Sequence, residues 1–199
     1  FGLYAQREKV KGSKIVTIEQ IETGEFQEME VSDNIEVFII KGEKCGVELE
    51  ADDNLHDAIA VNVHGNLLQI SAVKDVTSAK KFSIRVTYTD GFKQLTARNE
   101  ATITALADLT LDDFTLKAYD KTKVFANVKC RLFTLMADDN TKSELNIANA
   151  EQSNIVLSKN ANLKALIAST NVKFDMYQKA TAVVEGDVND LRLRMDNNS

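Results

Sequence analysis

The feature that most constrains this chain is a repeat of about 20 residues that begins near residue 92. Each unit opens on an apolar anchor, and successive anchors are 21, 19, 22, 19 and 17 residues apart. The anchors are Leu95, Leu116, Leu135, Leu157, Met176 and Leu193. After each of the first five, a polar corner leads into a second short run that alternates apolar and polar residues. Because a unit this short cannot bury its apolar side alone, the units must stack on one another.

The turn residues of the repeat region are unusual. The chain contains no Pro and eight Gly, and only Gly186 follows residue 91. Twelve of the sixteen Asn lie after residue 91. The short polar side chains of Asn and Asp tolerate the left-handed backbone conformation that tight corners need. We therefore expect a positive φ angle at Asn140 or Asn160.

The region before the repeats also reads as strands. Apolar and polar residues alternate there with period two, which indicates half-buried strands separated by turn signals. These runs cover residues 15–18, 26–31, 35–40, 47–51, 59–63, 67–70 and 82–88. Residues 64–66 (His-Gly-Asn) predict a tight hairpin, and only residues 53–58 could form a helical turn.

Together these patterns predict an all-β protein with a single-stranded, right-handed parallel β-helix (a solenoid). Strands about 4.8 Å apart would give five or six coils a column roughly 25 Å long. We expect a leader remnant or flexible N-terminus at 1–13, a β-strand region at 14–91 that caps or continues the helix, and the repeats at 92–199. Residues 14–199 could equally form one continuous domain.

A leucine-rich repeat, with its period of 20–29 residues, is the competing fold. The spacing of Leu111, Phe114 and Leu116 imitates its opening. However, the position that should carry a recurrent Asn holds Tyr119, Asp138, Asn160 and Lys179 in successive units. The second half of each unit alternates, except at residues 162–169, where helical spacing is possible. These two departures favour the β-helix.

Charge and apolar content restrict partners and compartment. Lys and Arg number 24 against 30 Asp and Glu, a net charge of −6, whereas nucleic-acid-binding domains usually carry a basic stripe. No apolar run is long enough for a membrane-spanning helix.

Residues 1–5 resemble the tail of a signal peptide cleaved after Ala5, although a disordered N-terminus fits as well. Cys45 and Cys130 lack metal spacing, and two free thiols are favoured over a disulfide.

Residues that could carry chemistry are few. The acidic pairs at 52–53, 112–113 and 138–139 lie in turns, where local backbone N–H groups usually satisfy aspartates. His56 and His64 sit beside turns without further metal ligands. We therefore predict no catalytic residues, no cofactor-binding residues and no metal site. The candidate ligand surface consists of two corner tyrosines and an acidic pair: Tyr119, Asp138, Asp139 and Tyr177.

The chain resembles the family of auto-transporter adhesins with a head GIN domain, found in Gram-negative bacteria. The resemblance covers roughly residues 24–190 and rests on three motifs. They are Phe26-x-x-Met29-x-Val31-Ser32-Asp33-Asn34-Ile35-x-Val37-x-Ile39-x-Lys41-Gly42, Val47-x-Leu49-Glu50-Ala51-Asp52-Asp53-Asn54-Leu55 and Gly65-Asn66-Leu67-Leu68-x-Ile70. The family's corners are Ser-Gly-rich, whereas the corners here carry Asn, Asp and Lys.

The resemblance implies a β-helix-like fold and export to the periplasm, the outer-membrane surface or the medium. The resemblance supplies no functional residues. Because the repeats carry no catalytic constellation, we hypothesise an adhesin-like, non-catalytic binding protein whose partner is a surface glycan, a lipid or another envelope protein. Two alternatives stay open: a pectate-lyase-like enzyme acting on polysaccharides, and an oligomeric structural component of the envelope.

Overall fold

The computed structural model describes residues 7–196, which form a β-solenoid of about five turns with 66% strand and 3% helix. The predicted fold class is confirmed. A leucine-rich repeat is excluded, because the only helical element in residues 7–196 is the short 3₁₀ turn Asp53–Ala58. The strands are β1 (Lys9–Lys11), β2 (Val16–Glu22), β3 (Glu28–Ser32), β4 (Glu36–Lys41), β5 (Gly46–Asp52), β6 (Ile59–His64), β7 (Leu67–Ala72), β8 (Asp75–Ser78), β9 (Phe82–Tyr88), β10 (Gln94–Ala97), β11 (Thr102–Ala105), β12 (Leu109–Thr110), β13 (Asp113–Ala118), β14 (Lys123–Lys129), β15 (Leu132–Ala137), β16 (Lys142–Leu157), β17 (Asn162–Met176) and β18 (Thr181–Met195).

Two parallel sheets face each other across the apolar interior, and each coil contributes one strand to each sheet. The first sheet contains β7, β3, β10, β13, β15 and the second halves of β16, β17 and β18, in that spatial order. The second sheet contains β9, β4, β11, β14 and the first halves of β16, β17 and β18. The long strands β16 to β18 continue around the edge that joins the two sheets.

The corners that lead from the first sheet to the second turn through two successive left-handed residues. Asn140 (φ 59°) and Asn160 (φ 62°) both confirm the expected positive φ. Lys121 and Lys179 occupy equivalent positions with φ 64° and 65°. The N–H of Lys121 donates to the carbonyl of Asp139 at 2.8 Å, and corners in neighbouring coils repeat this bond. Because the backbone supplies the ladder, the side chain at a corner need not be Asn.

The register of the repeats differs from the sequence alignment by two residues. Leu95, Leu116 and Leu135 pair as expected, but Leu135 pairs with Ile155 rather than Leu157. The row then continues through Phe174 and Leu193, so the true spacings are 21, 19, 20, 19 and 19 residues. Side chains that are two residues apart on a strand point the same way, so the alternation alone does not distinguish these registers.

An aromatic column fills the interior where the N-terminal strands meet the repeats. Phe26, Phe92, Phe114 and Phe133 lie in succession, with ring centroids 6.0, 5.8 and 6.3 Å apart. Tyr88 packs against Phe92 at 5.0 Å. Such ring pairs add stabilisation beyond the area that they bury. The column therefore ties residues 26–88 and the repeats into one continuous core.

The stack begins with strands that are out of chain order. The coil formed by β7 and β9 is outermost, and the coil formed by β3 and β4 lies between it and β10 with β11. Antiparallel strands then cover this end: β6 pairs with β7 in the predicted hairpin, β5 with β9, and β2 with β5. The interior is closed there by Leu55 and Ala58, which are fully buried. The leader expected at residues 1–5 lies outside the described residues.

Asp52 fastens this cap. Its buried carboxylate accepts backbone N–H groups from Lys14 at 2.9 Å, Lys80 at 3.1 Å and Lys81 at 3.0 Å. Burial alone would raise the pKa of Asp52, but these hydrogen bonds outweigh it and hold the pKa below its ordinary value. A lowered pKa contributes stability above the unfolded value of about 3.9, and this contribution is lost as the pH falls through the folded pKa.

We therefore expect Asp52→Asn to lower the midpoint of thermal unfolding at neutral pH, with the difference from wild type narrowing below about pH 4. Circular dichroism melts across pH measure this. The exposed Glu43 provides a control, because Glu43→Gln should leave the midpoint unchanged. An Asp52→Asn protein with the wild-type midpoint at neutral pH would contradict the role assigned to this carboxylate.

Gly186 fixes the last coil onto the stack. Its φ is +127°, and a Cβ atom there would lie 2.1 Å from the carbonyl oxygen of Ile167 in the preceding coil. This close approach explains why position 186 carries the one Gly that follows residue 91.

We expect Gly186→Ala to destabilise the protein by about 2 kcal/mol and to increase hydrogen exchange in β18. Gly91→Ala is the control, because its nearest neighbour would be 4.0 Å away. Unchanged exchange in β18 of Gly186→Ala would contradict this reading.

Candidate functional site

The structure places three of the four sequence-predicted site residues on one line. We define the corner ridge as Arg98, Tyr119, Asp138, Ser158 and Tyr177, which start the corners of five successive coils. Each N–H along the ridge donates to the coil before it, as from Tyr119 to the Ala97 carbonyl at 2.9 Å and from Tyr177 to the Leu157 carbonyl at 2.9 Å. Asp139, the fourth predicted residue, directly follows the ridge within the turn.

Several ridge side chains already have partners within the protein. The guanidinium of Arg98 lies 4.6 Å from the ring centroid of Tyr119, and that of Arg194 lies 5.9 Å from Tyr177. Lys159 Nζ donates to Asp138 Oδ2 at 2.9 Å. Burial raises the pKa of Asp138, but hydrogen bonds from Lys159 and Ser158 outweigh it and keep the pKa low. The ridge therefore presents a fixed carboxylate and two tyrosines that each have a cation nearby.

A larger concave surface lies on the outer side of the second sheet, and sequence reasoning missed it. This second-sheet groove has a volume of about 700 Å³ and crosses β11, β14, β16, β17 and β18. Its outward-facing lining consists of Thr104, Phe125, Asn127, Glu144, Asn146, Lys164, Leu166, Val183 and Glu185. The alternation predicts which residues of a strand point outward. It does not say which of them become neighbours in the next coil, because that depends on the register.

The groove combines aligned amides with charged and apolar side chains. Asn127 and Asn146 occupy paired positions in neighbouring strands, as do Glu144 and Lys164. Glu144 is also ion-paired to Lys142 at 2.9 Å, and this hydrogen bond holds the pKa of Glu144 below its usual value. Leu166 is 50% exposed and Val183 is 61% exposed. The surface can therefore donate and accept hydrogen bonds beside apolar contacts.

A second cavity, of about 550 Å³, lies beside the cap. Its apolar lining includes Ile35, Ile59 and Phe82, and its cationic side chains are Arg7 and Lys74. Both cations have acidic partners, because Arg7 pairs with Asp33 at 2.7 Å and Lys74 pairs with Asp57 at 2.6 Å. The cavity therefore combines a few apolar side chains with polar ones and with two cations that are already ion-paired.

The acidic pair at residues 112–113 is held by ion pairs. Asp112 and Asp113 both bind Arg131, at 3.0 and 2.8 Å. A general acid needs a raised pKa. Four described carboxylates have a resolved pKa shift, and in all four the pKa is lowered; they are Asp52, Asp108, Asp138 and Glu144.

The histidines and cysteines likewise form no reactive cluster. His56 lies against the hydroxyl of Thr17 at 2.8 Å and the carboxylate of Glu19 at 3.0 Å. Within residues 7–196 no three His, Cys, Asp or Glu side chains are arranged to hold a metal ion. Both cysteines are free thiols, and burial raises the pKa of Cys130 to about 11.

None of the helices in residues 7–196 has the length and apolar character needed to cross a bilayer.

The fold is shared with solved structures of low sequence identity. A putative adhesin from Bacteroides fragilis superposes with a TM-score of 0.65 at 16% identity, covering 94% of this chain and 96% of that chain. A putative adhesin from Parabacteroides distasonis gives 0.61 at 17% identity, with 95% and 98% covered. A putative lipid binding protein from the same species gives 0.51 at 10% identity, with 96% and 100% covered.

No curated protein sequence matches the chain. A family model described as putative auto-transporter adhesin, head GIN domain, matches residues 25–199, which includes the strands of both sheets and confirms the resemblance seen in the sequence. The chain therefore belongs to the family of putative auto-transporter adhesins with a head GIN domain.

Proposed function

We propose that this protein is an adhesin-like, non-catalytic binding protein of the cell envelope that holds a surface glycan in the second-sheet groove. The observation that carries the proposal is the register of the groove lining, in which polar and apolar side chains form rows across successive coils. Five strands about 4.8 Å apart span roughly 19 Å, so an extended ligand can lie along the solenoid axis and contact several coils.

The chemistry of the rows suits a sugar chain. Asn127 and Asn146 each carry two amide N–H donors and one acceptor oxygen. Asn127 uses one donor on the Asp108 carboxylate, and the remaining groups match hydroxyl groups spaced along a glycan. Phe125 presents a partly exposed aromatic ring in the neighbouring row, and Leu166 adds an apolar contact. Glu144 is ionised at neutral pH, as an ordinary glutamate is, and the hydrogen bond from Lys142 lowers its pKa further, so it serves as a hydrogen-bond acceptor.

The corner ridge borders the same sheet, because the second-sheet strands begin immediately after the corners. We assign Tyr119, Asp138, Asp139 and Tyr177 as a second contact for the same ligand. Tyr119 and Tyr177 are three coils apart, or roughly 14 Å at 4.8 Å per coil. The proposed envelope or surface location is supported by the family and by its adhesin neighbours.

A panel of immobilised bacterial and host-surface glycans tests the proposal. We expect at least one glycan to bind, and Asn127→Ala with Asn146→Ala to weaken that binding about tenfold, as expected for losing hydrogen bonds of about 1.4 kcal/mol in total. Tyr119→Ala with Tyr177→Ala should weaken it less. The matched control is Thr115→Ala with Thr134→Ala, two outward positions paired on the first sheet, which should leave binding unchanged.

Two outcomes would contradict this function. The first is the absence of any glycan binding, or binding that the paired Asn variants do not affect. The second is turnover of an acidic polysaccharide that disappears in Asp138→Ala or Asp139→Ala, which would establish the enzymatic alternative. Circular dichroism of every variant checks that the fold is intact.

A lipid is the second candidate ligand, and the cavity of about 550 Å³ beside the cap favours it. Ile35, Ile59 and Phe82 provide apolar contacts for an acyl chain within a lining that also carries polar side chains for a headgroup, and a solved structure with this fold is called a putative lipid binding protein. Titration with a fluorescent fatty acid should then show saturable binding that Ile59→Asn weakens. No saturable binding by wild type would exclude this candidate.

A further inference from the structure

The two ends of the solenoid are built differently. At the cap, antiparallel strands and the 3₁₀ turn close the interior. At the opposite end, β18 pairs with β17 along one edge, and no strand within residues 7–196 pairs with its other edge. A strand edge with unpaired N–H and C=O groups is a template for pairing with another chain.

This open end also exposes apolar side chains whose equivalents in the preceding coil are buried in the core. Leu191 is 57% exposed, although its partner Val172 in the preceding coil is 4% exposed. Leu193 is 52% exposed, although its partner Phe174 is 6% exposed. Together with Met195, also 52% exposed, they form a contiguous apolar surface. Terminal repeats of solenoids normally carry a polar outer face, and an apolar patch of this kind marks an interaction site.

The charges on the outer side of β18 are largely separated by sign. The exception is Asp190, which lies beside the turn at the start of the half that belongs to the first sheet. Glu185 and Asp187 lie in the half that belongs to the second sheet, and Arg192 and Arg194 lie in the half that belongs to the first sheet. None of these four side chains takes part in the ion pairs formed among residues 7–196. The last coil therefore presents an acidic strand segment and a basic strand segment side by side.

We propose that this end docks onto the same end of a second copy of the chain, forming a two-fold symmetric dimer. A two-fold axis parallel to the strands exchanges the two sheets, so the basic segment of one copy meets the acidic segment of the other. The facing strand segments then run antiparallel and can complete each other's hydrogen bonds. The apolar interiors of the two copies meet at the same time and form one continuous core.

The spacing of the charges fits this arrangement. Counted from the turn at Asn189, Glu185 lies four residues before it, and Arg192 and Arg194 lie three and five residues after it. Directly paired residues of an antiparallel ladder point to the same side of the sheet, so the register is shifted by one residue from equal counts. The outward Glu185 of one copy then pairs with Arg194 of the other, and Asp187 pairs with Arg192. The alternative two-fold axis, perpendicular to the strands, would place Arg192 of one copy against Arg192 of the other, and these like charges would repel each other. The contact is isologous, so it closes after two copies.

Stacking of the open end onto the cap of another copy is disfavoured by the same features. At the cap the solenoid interior is closed by Leu55 and Ala58, and the most exposed apolar side chains there, Ile15 and Ile18, lie on or beside β2 and do not continue the core. A segment of protein following residue 196, or a different protein, could also cover the open end, and the experiment below separates these occupants from a second copy.

Sedimentation velocity over a range of concentrations tests the dimer. We expect wild type to show a reversible monomer–dimer equilibrium, and Arg194→Glu or Glu185→Arg alone to raise the dimer dissociation constant about tenfold or more. The two changes combined should restore the wild-type value, because the reversed charges again face each other. Both side chains are exposed, so the variants should fold, and circular dichroism confirms this. Lys117→Glu, far from the end of the stack, is the control and should not affect the equilibrium.

The proposal is overturned by a strictly monomeric wild type, which would mean that something other than a second copy covers this end. It is also overturned by open-ended polymers, which would indicate stacking onto the cap. A dimer that neither reversal weakens, or that the combined variant does not restore, would place the interface elsewhere.

Discussion

The ladder of backbone hydrogen bonds between coils supports every other feature of this protein. It runs through both parallel sheets and also through the corners, where the N–H of Asn140 donates to the carbonyl of Lys159 at 3.0 Å. Because peptide groups maintain the stack, the outward side chains are free to vary. This explains how Glu, Lys and Gln share left-handed corner positions with Asn and Asp, although a non-Gly residue in that conformation costs about 1–2 kcal/mol.

The fold class could be predicted from the sequence because the repeat and the alternation report directly on stacking and on strand faces. The register could not, since Ile155 and Leu157 are both apolar and both point inward. The alignment of Leu157 with Leu135 places Ile155 opposite Phe133, whereas the structure pairs Phe133 with Ser153. The spatial order of the first coils was also hidden, because β7 and β9 lie outside β3 and β4 although they follow them in the chain.

Part of the candidate site could likewise be predicted from the sequence, and part could not. Tyr119, Asp138 and Tyr177 were recognisable because each begins a corner, and corners stack. The second-sheet groove was not recognisable, because Asn127 and Asn146 become neighbours only through the pairing of β14 with β16. In both places the carboxylates are held as acceptors by lysines, Asp138 by Lys159 and Glu144 by Lys142. Both ion pairs lower the pKa of the carboxylate, which suits the hydrogen-bond acceptor role that we propose for these two residues.

A crystal structure of the protein in complex with a glycan that it binds would test the binding role most directly. The ligand is predicted to lie along the solenoid axis on the second sheet, with hydroxyl groups within hydrogen-bonding distance of the amides of Asn127 and Asn146. A glycan bound to the first sheet, in the cap cavity or across the open end, with the second-sheet groove unoccupied, would contradict it.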